Sequence, residues 1–217
     1  AAMIALYLLL GAVLAVFVGP PVVRRLKHRG LPEVVPGQHD FGKRRVTFRL
    51  ALKLLEERGA RVLVETGTAR HGLEKSRSDG ASTIVFGAWA RRHGAKLHSV
   101  DLSPDAIEAS RAAVLENDLA DAVRLYASDS IEFLRSFGEP VDFLYLDSYD
   151  YSKTDPEVQR RSQTHHLEEF RAIEDRLHDR SVVLIDDCRL AGGGKGKLVV
   201  DYMRSKGWIV VKSAYQV

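Results

Sequence analysis

Residues 61–101 read RVLVETGTARHGLEKSRSDGASTIVFGAWARRHGAKLHSVD, and this stretch decides the fold. A short apolar run over 62–65 ends on Glu65, a helical pattern over 82–93 closes on Gly94, and a second apolar run over 96–101 ends on Asp101. Strand, helix and strand in that order predict a parallel β-α-β unit. The alternation continues to the end of the chain. Further strand candidates lie at 123–126, 141–147, 181–186 and 208–212, and further helix candidates at 104–117, 130–137, 163–177 and 197–206. Ser103 before Pro104 reads as an N-cap with proline at the first helical position, and Gly94, Gly138 and Gly207 fall where helices end. The expected fold is α/β and Rossmann-like: a mostly parallel sheet with helices on both faces, its last strand truncated by the end of the chain.

Five successive strands run into carboxylates: Glu65, Asp101, Asp129, Asp147 and the pair Asp186-Asp187. In an open α/β sheet, ligands bind outside the carboxyl ends of the strands, so these acids converge on one edge. Gathering them is costly unless a cation or a ligand's hydrogen-bond donors compensate. The first strand-to-helix loop, Glu65-Thr66-Gly67-Thr68, lacks the G-x-G-x-x-G spacing that packs backbone against a pyrophosphate. A phosphate-free ligand with a positive centre and a ribose diol suits the edge better. Gly192-Gly193-Gly194-Lys195-Gly196-Lys197 looks like a phosphate loop, but Leu198 stands where a Ser or Thr would hold Mg²⁺, so it reads as a flexible turn into a helix.

In the order LVETGT, GASTIVF, SVDLSP, ASDSIEFL, VDFLYLD and VVLIDD, residues 61–212 resemble class I S-adenosylmethionine-dependent methyltransferases. They resemble especially the metal-dependent O-methyltransferase branch that includes catechol-type and sugar enzymes. The resemblance implies cofactor contacts from Glu65, Gly67 and Thr68 around the methionine portion, and from Ser82 and Thr83 at the next helix start. It further implies Asp101 on the ribose hydroxyls, and Asp129 and Ser130 near the adenine. The segment 73–79 lengthens a loop that is short in the family. By the same resemblance Asp147, Asp186 and Asp187 surround Mg²⁺ or another divalent cation, and oxygen-only ligands suit such a hard ion. Asp147 and Asp150 are the catalytic candidates, Asp150 as a base or further ligand. His165-His166 points back to the same edge, Tyr145, Tyr149 and Tyr151 line an acceptor pocket or pack in the core, and the insert 152–162 shapes that pocket or its lid. Cys188, the sole cysteine, reads as a small buried residue and excludes an internal disulfide.

Charge divides the chain into three. Residues 1–23 carry none, residues 24–61 carry 11 Lys/Arg against 4 Asp/Glu, and the remainder is slightly acidic. As a helix, the 19 residues before Pro20 would span about 28 Å, close to the thickness of a bilayer's hydrocarbon. The basic flank after it predicts a single-pass anchor with a cytoplasmic body. The expected organisation is an anchor over 1–23, a basic linker with an amphipathic helix (46–58) over 24–60, and a methyltransferase domain over 61–217. The acceptor is then a small-molecule, sugar or lipid-linked hydroxyl compound near the membrane, and nucleic acid is not a partner. Two other function classes remain: a nucleotide-dependent Rossmann oxidoreductase or epimerase, and a non-catalytic membrane-tethered binding module.

Overall fold

Near-continuous burial along the central strands, with successive side chains on opposite faces, sets the architecture. The computed structural model describes residues 30–217. Among them, strands β1 (Val62–Thr66), β2 (Lys96–Asp101), β3 (Val123–Ala127), β4 (Val141–Leu146) and β5 (Leu177–Ile185) form one sheet in the order β3-β2-β1-β4-β5. All four pairings are parallel. Leu63, Phe143 and Tyr145 enter the core of one face with Phe48 and Phe86, while Val64, Leu144 and Leu146 enter the other with Phe170, Ile173 and Val199. Each face is therefore apolar on a period of two and requires its own cover.

The covering helices are α1 (Arg45–Arg58), α2 (Ser76–Asp79), α3 (Ser82–His93), α4 (Pro104–Glu116), α5 (Ser130–Ser136), α6 (Pro156–Ile173) and α7 (Lys197–Ser205). Ser103 caps α4 by accepting from the Ala106 amide at 3.2 Å, and Pro104 opens the helix. Asp155 caps α6 through the Glu157 and Val158 amides at 2.9 and 3.3 Å. Phe86 packs on Phe48 at 5.2 Å and on Phe143 at 4.6 Å, which ties α1 and α3 to β4. Such pairs add about 0.5–1.5 kcal/mol each beyond burial.

Most elements fall within a residue or two of their expected bounds, and three expectations change. The basic segment is not an extended linker beside the domain: Leu31, Phe41, Phe48 and Leu55 are fully buried in the same core as β1 and β4. Its apolar residues read as a weak pattern because Lys and Arg alternate with them. The helix expected over 163–177 starts seven residues earlier, so most of the insert 152–162 is its first turns. Residues 208–212 form no strand, and Ile209 and Val211 are exposed. The end of β5 pairs instead with the last residues. Val217 and Ile185 exchange both backbone hydrogen bonds, at 2.8 and 3.1 Å, and the Cys188 amide donates to Tyr215 O at 2.8 Å. The expected membrane span over 1–23 lies outside the described residues. Among the described residues, no helix is long and apolar enough to cross a membrane.

Candidate active site

Strand order reverses between β1 and β4, and the carboxyl ends of β1, β2 and β4 flank this switch point, where open α/β sheets hold their ligand crevice. Gly67 shapes this edge. Its φ is +80°, and a Cβ there would lie 2.5 Å from the Asp147 carbonyl oxygen, so the β1 loop crosses directly over the end of β4. The Gly67 amide donates to Val100 O at 2.8 Å, and the Thr68 amide donates to Asp101 Oδ2 at 3.1 Å. The other Asp101 oxygen accepts from the Ser103 amide at 2.9 Å. Glu65 is fully buried below this loop. Its Oε2 accepts from Thr83 and Ser99, both at 2.7 Å, and its Oε1 has no partner. Thr83 Oγ1 also accepts from the Ala69 amide at 2.8 Å. Glu65, Gly67, Thr68, Ser82, Thr83 and Asp101 thus belong to one connected group. Asp129 caps α5 through the Glu132 amide at 3.0 Å, and Ser130 Oγ lies 3.2 Å from His165 Nε2.

The neighbouring group is ionic. Suitable oxygens of Asp147, Asp186 and Asp187 lie within 4.8 Å of one another, as the sequence reading expected. Two cations absent from that reading hold them. Arg44 donates to Asp186 Oδ2 from Nε at 2.8 Å and from a terminal nitrogen at 2.6 Å. Lys195 Nζ lies 2.6 Å from Asp147 Oδ1 and 3.7 Å from Asp187 Oδ2, and its side chain is 3% exposed. Tyr215 donates to Asp187, Gln216 donates to Tyr145 Oη at 3.0 Å, and Tyr145 donates to Asp147 Oδ2 at 3.3 Å. Burial and the adjacent Asp186 push the Asp147 carboxyl well above its usual range, with Lys195 and Arg44 opposing. Burial pushes Asp186 the same way, but Arg44 prevails and holds it below its ordinary value.

These residues fit a divalent metal poorly. Lys195 Nζ lies 2.6 and 3.7 Å from the Asp147 and Asp187 oxygens, so a divalent ion held by those oxygens would compete with the ammonium for them and be repelled by it. The ion would also bring two positive charges to a cluster whose three carboxylates already face an arginine and a lysine. Asp186 Oδ1 is the one buried oxygen of the triad without a hydrogen-bond partner, and Arg44 holds the same carboxylate through its other oxygen.

A polar stripe on α6 backs the crevice. His166 Nδ1 is 2.7 Å from Ser162 O, Glu169 accepts from Thr66 Oγ1 at 3.2 Å, and His165 pairs with Glu169 at 3.2 Å. These groups and Glu65 set opposing slopes on stability. Burial pushes Glu65 up to about 7, against hydrogen bonds from Ser82, Ser99 and Thr83. The folded chain then keeps a proton that the unfolded chain releases, so stability falls as pH rises from about 4.5 to 7. Burial pushes His166 down to about 4, so its contribution falls as pH drops from about 6.5 to 4. Each is worth about 3 kcal/mol, and they cancel over most of their common window. His165 is raised by Glu169 against its own burial, so its contribution is complete below its unfolded value and adds no slope there. Glu169 is pushed down to about 2, chiefly by His165 against burial, and loses its contribution only below about 4.5. From pH 6.5 to 4.5 these two contributions therefore offset each other. Relative to wild type, Glu65→Gln is expected to lose about 2–3 kcal/mol over that interval, as urea unfolding of both proteins at several pH values would read. A difference that does not change with pH would contradict the retention of a proton on Glu65.

Sequence reasoning placed the carboxylates and missed what neutralises them. Lys195 stood in a glycine-rich run read as a turn, and its signal was three glycines in succession: Gly194 has φ +62°, and a Cβ there would lie 1.8 Å from Asp187 O. Arg44 had no signal within a basic segment. Glu169 could have been found from the polar i, i+3, i+4, i+7 spacing of Ser162, His165, His166 and Glu169. Asp150 does not join the cluster: its side chain is 86% exposed and pairs with Arg70 at 3.7 Å. Cys188 is partly buried, and burial raises its thiol to about 12, which removes it as a nucleophile.

Comparison with known proteins agrees with the fold. An SAH-bound Podospora anserina methyltransferase, PaMTH1, is 16% identical over 75% of this chain and 69% of its own, with a TM-score of 0.53. An O-methyltransferase from Bacillus cereus in complex with SAH is 16% identical over 82% and 74%, with a TM-score of 0.52. Against a Staphylococcus aureus structure of the caffeoyl-CoA O-methyltransferase kind the identity is 14% and the TM-score 0.49, and the chain spans 57% of that protein. No curated relative matches the chain. A family model described as "Methyltransferase domain" matches residues 77–188, just over half of the sequence, and the chain belongs to that methyltransferase family.

Proposed function

We propose that the protein transfers a methyl group from S-adenosylmethionine to a hydroxyl oxygen of a small-molecule acceptor. The observation that carries the reading is the adjacency of two groups at the switch point. Glu65, Thr68 and Asp101 gather at β1 and β2, and the Asp147–Lys195 pair stands next to them at β4. The unpartnered Glu65 Oε1 and the Asp101 carboxylate suit a cofactor rich in ammonium and hydroxyl donors. In this reading Ser82 and Thr83, at the start of the twelve-residue helix α3, offer donors to the cofactor's carboxylate, and Asp129 and Ser130 stand near the adenine.

When bound, S-adenosylmethionine supplies a sulfonium methyl, so that an O–CH₃ bond forms as the S–CH₃ bond breaks and a neutral thioether is left. The chain's own residues do the rest. Gly67 brings the β1 loop onto the Asp147 backbone, which fixes the distance between the two groups. Asp147, raised in proton affinity by burial and Asp186, takes the acceptor's hydroxyl proton. Where Mg²⁺ was expected to align the acceptor oxygen, the carboxylate triad supports a cation, and Lys195 supplies positive charge in its place.

Calorimetry tests the function directly: S-adenosylmethionine is expected to bind and NAD(P) is not. Methyl transfer to a panel of hydroxylated acceptors then identifies the substrate class. Binding of NAD(P) alone would support a Rossmann oxidoreductase instead, and cofactor binding without transfer to any acceptor would support a binding module. The uncharged residues 1–23 and their basic flank support a membrane-proximal acceptor in the same reading. Partition of the full chain, and of one lacking those residues, between vesicles and buffer checks it.

A further inference from the structure

We propose that Lys195 is the resident cation of the acceptor site, holding the acceptor oxygen as a divalent metal would and making transfer independent of metal; this rests on the function proposed above. An ammonium carries three donors. Among the described residues, Lys195 places one of them, on Asp147 Oδ1 at 2.6 Å, while Asp187 Oδ2 at 3.7 Å is an ion-pair partner beyond hydrogen-bond reach. A buried ammonium with donors to spare is costly unless a further acceptor completes its shell. Asp147 and Asp187 keep 19% and 18% of their side chains exposed, so the cluster opens on their side, where an incoming hydroxyl oxygen meets both the ammonium and the Asp147 carboxyl.

The loop bearing Lys195 is fixed in this position. Gln163 donates to Gly192 O and Gly194 O, both at 3.1 Å, and Tyr151 donates to Ala191 O. Gly194 rests on the Asp187 carbonyl with no room for a side chain. The lysine is therefore delivered by a braced turn whose closest contact is the acidic pair itself. Arg44 cannot play the same part. Its Nε and one terminal nitrogen are spent on Asp186 Oδ2 and the other donates to Ser78 O at 2.8 Å.

Mn²⁺ titration followed by electron paramagnetic resonance tests the inference on the full chain. The wild type is expected to show no Mn²⁺ binding that Asp147→Asn removes. Lys195→Met vacates the seat and is expected to bind Mn²⁺ at least tenfold more tightly than the wild type, a gain abolished in Lys195→Met/Asp147→Asn. Turnover of the wild type in EDTA is expected to stay within twofold of its value in Mg²⁺. Lys195→Met is expected to lose about 100-fold in turnover while its S-adenosylmethionine affinity changes less than threefold, which also reports that it has folded. Asp147-dependent Mn²⁺ binding by the wild type, or turnover abolished by EDTA and restored by Mg²⁺, overturns the inference without use of any variant. Absence of S-adenosylmethionine binding would instead overturn the function, and the Mn²⁺ result would still judge Lys195.

Discussion

Arg44→Ala is expected to destabilise the chain by about 3–5 kcal/mol, because it strips a fully buried carboxylate of its partner. Asp186 has no exposed surface, and Asp147 stands beside it as a second acid. For a domain of this size, such a loss lowers the melting temperature by roughly 10 °C or more. The deficit should depend on pH. Arg44 holds the Asp186 carboxyl below its ordinary value, so the pair's contribution is present above the unfolded value and is lost on acidification. Without the arginine, Asp186 takes up a proton readily, so the gap between variant and wild type narrows from pH 7 to pH 4. Arg44→Met combined with Asp186→Asn should recover much of the loss, since neither partner is then left charged. Thermal melts at pH 4 and 7 check all three statements. Equal deficits at both would mean that Arg44 stabilises through packing alone.

Asp101→Ala is expected to weaken S-adenosylmethionine binding by about 10²–10⁴-fold, with little change in global stability. Two effects combine. The variant removes a carboxylate whose proposed partners are two ribose hydroxyls, and hydrogen bonds to a charged group are worth about 1.5–3 kcal/mol each. It also frees the Thr68 and Ser103 amides, which shape the loop under the cofactor. Water replaces the acceptor at the exposed Ser103 amide but not fully at the part-buried Thr68 amide, so the folded state loses about 1–2 kcal/mol. Asp101→Asn separates the contributions, since it keeps an acceptor for one amide and loses the charge. Calorimetry alongside a thermal melt distinguishes a binding defect from unfolding. Unchanged affinity in Asp101→Ala would remove the ribose assignment.

The fold was legible because each strand carries its own evidence. Leu63, Val64 and Glu65, or Phe143, Leu144 and Tyr145, are consecutive residues buried on both faces, and helices with caps such as Ser103-Pro104 separate them. The acids at the strand ends were legible for the same reason: position along a strand dictates position at the edge. What completes them was not, because the partners arrive from elsewhere in the chain. Arg44 meets Asp186 across 142 residues and Lys195 meets Asp147 across 48. No periodicity links such pairs, and a charge in a basic or glycine-rich segment reads the same whether solvated or buried. Residues 208–212 failed differently: their composition suits a strand, but strand identity depends on a partner, and the end of β5 pairs with residues 215–217.

The long sequence separation of these contacts has a consequence for how the molecule comes into being. During synthesis Asp147 is made well before Lys195, and Arg44 long before Asp186, while Thr47 must wait 169 residues for Gln216. The β1-α3-β2 unit can close locally, whereas the ionic cluster requires β5 and the glycine-rich turn to dock first. Contacts so distant carry a large loop-closure cost that is repaid only late. Until then the nascent chain holds Arg44 and Asp147 unpaired near an unfinished sheet edge, a state open to water and to wrong partners. The chemistry proposed for the crevice thus depends on the final stage of folding, and a chain that has folded its sheet has not yet assembled its active site.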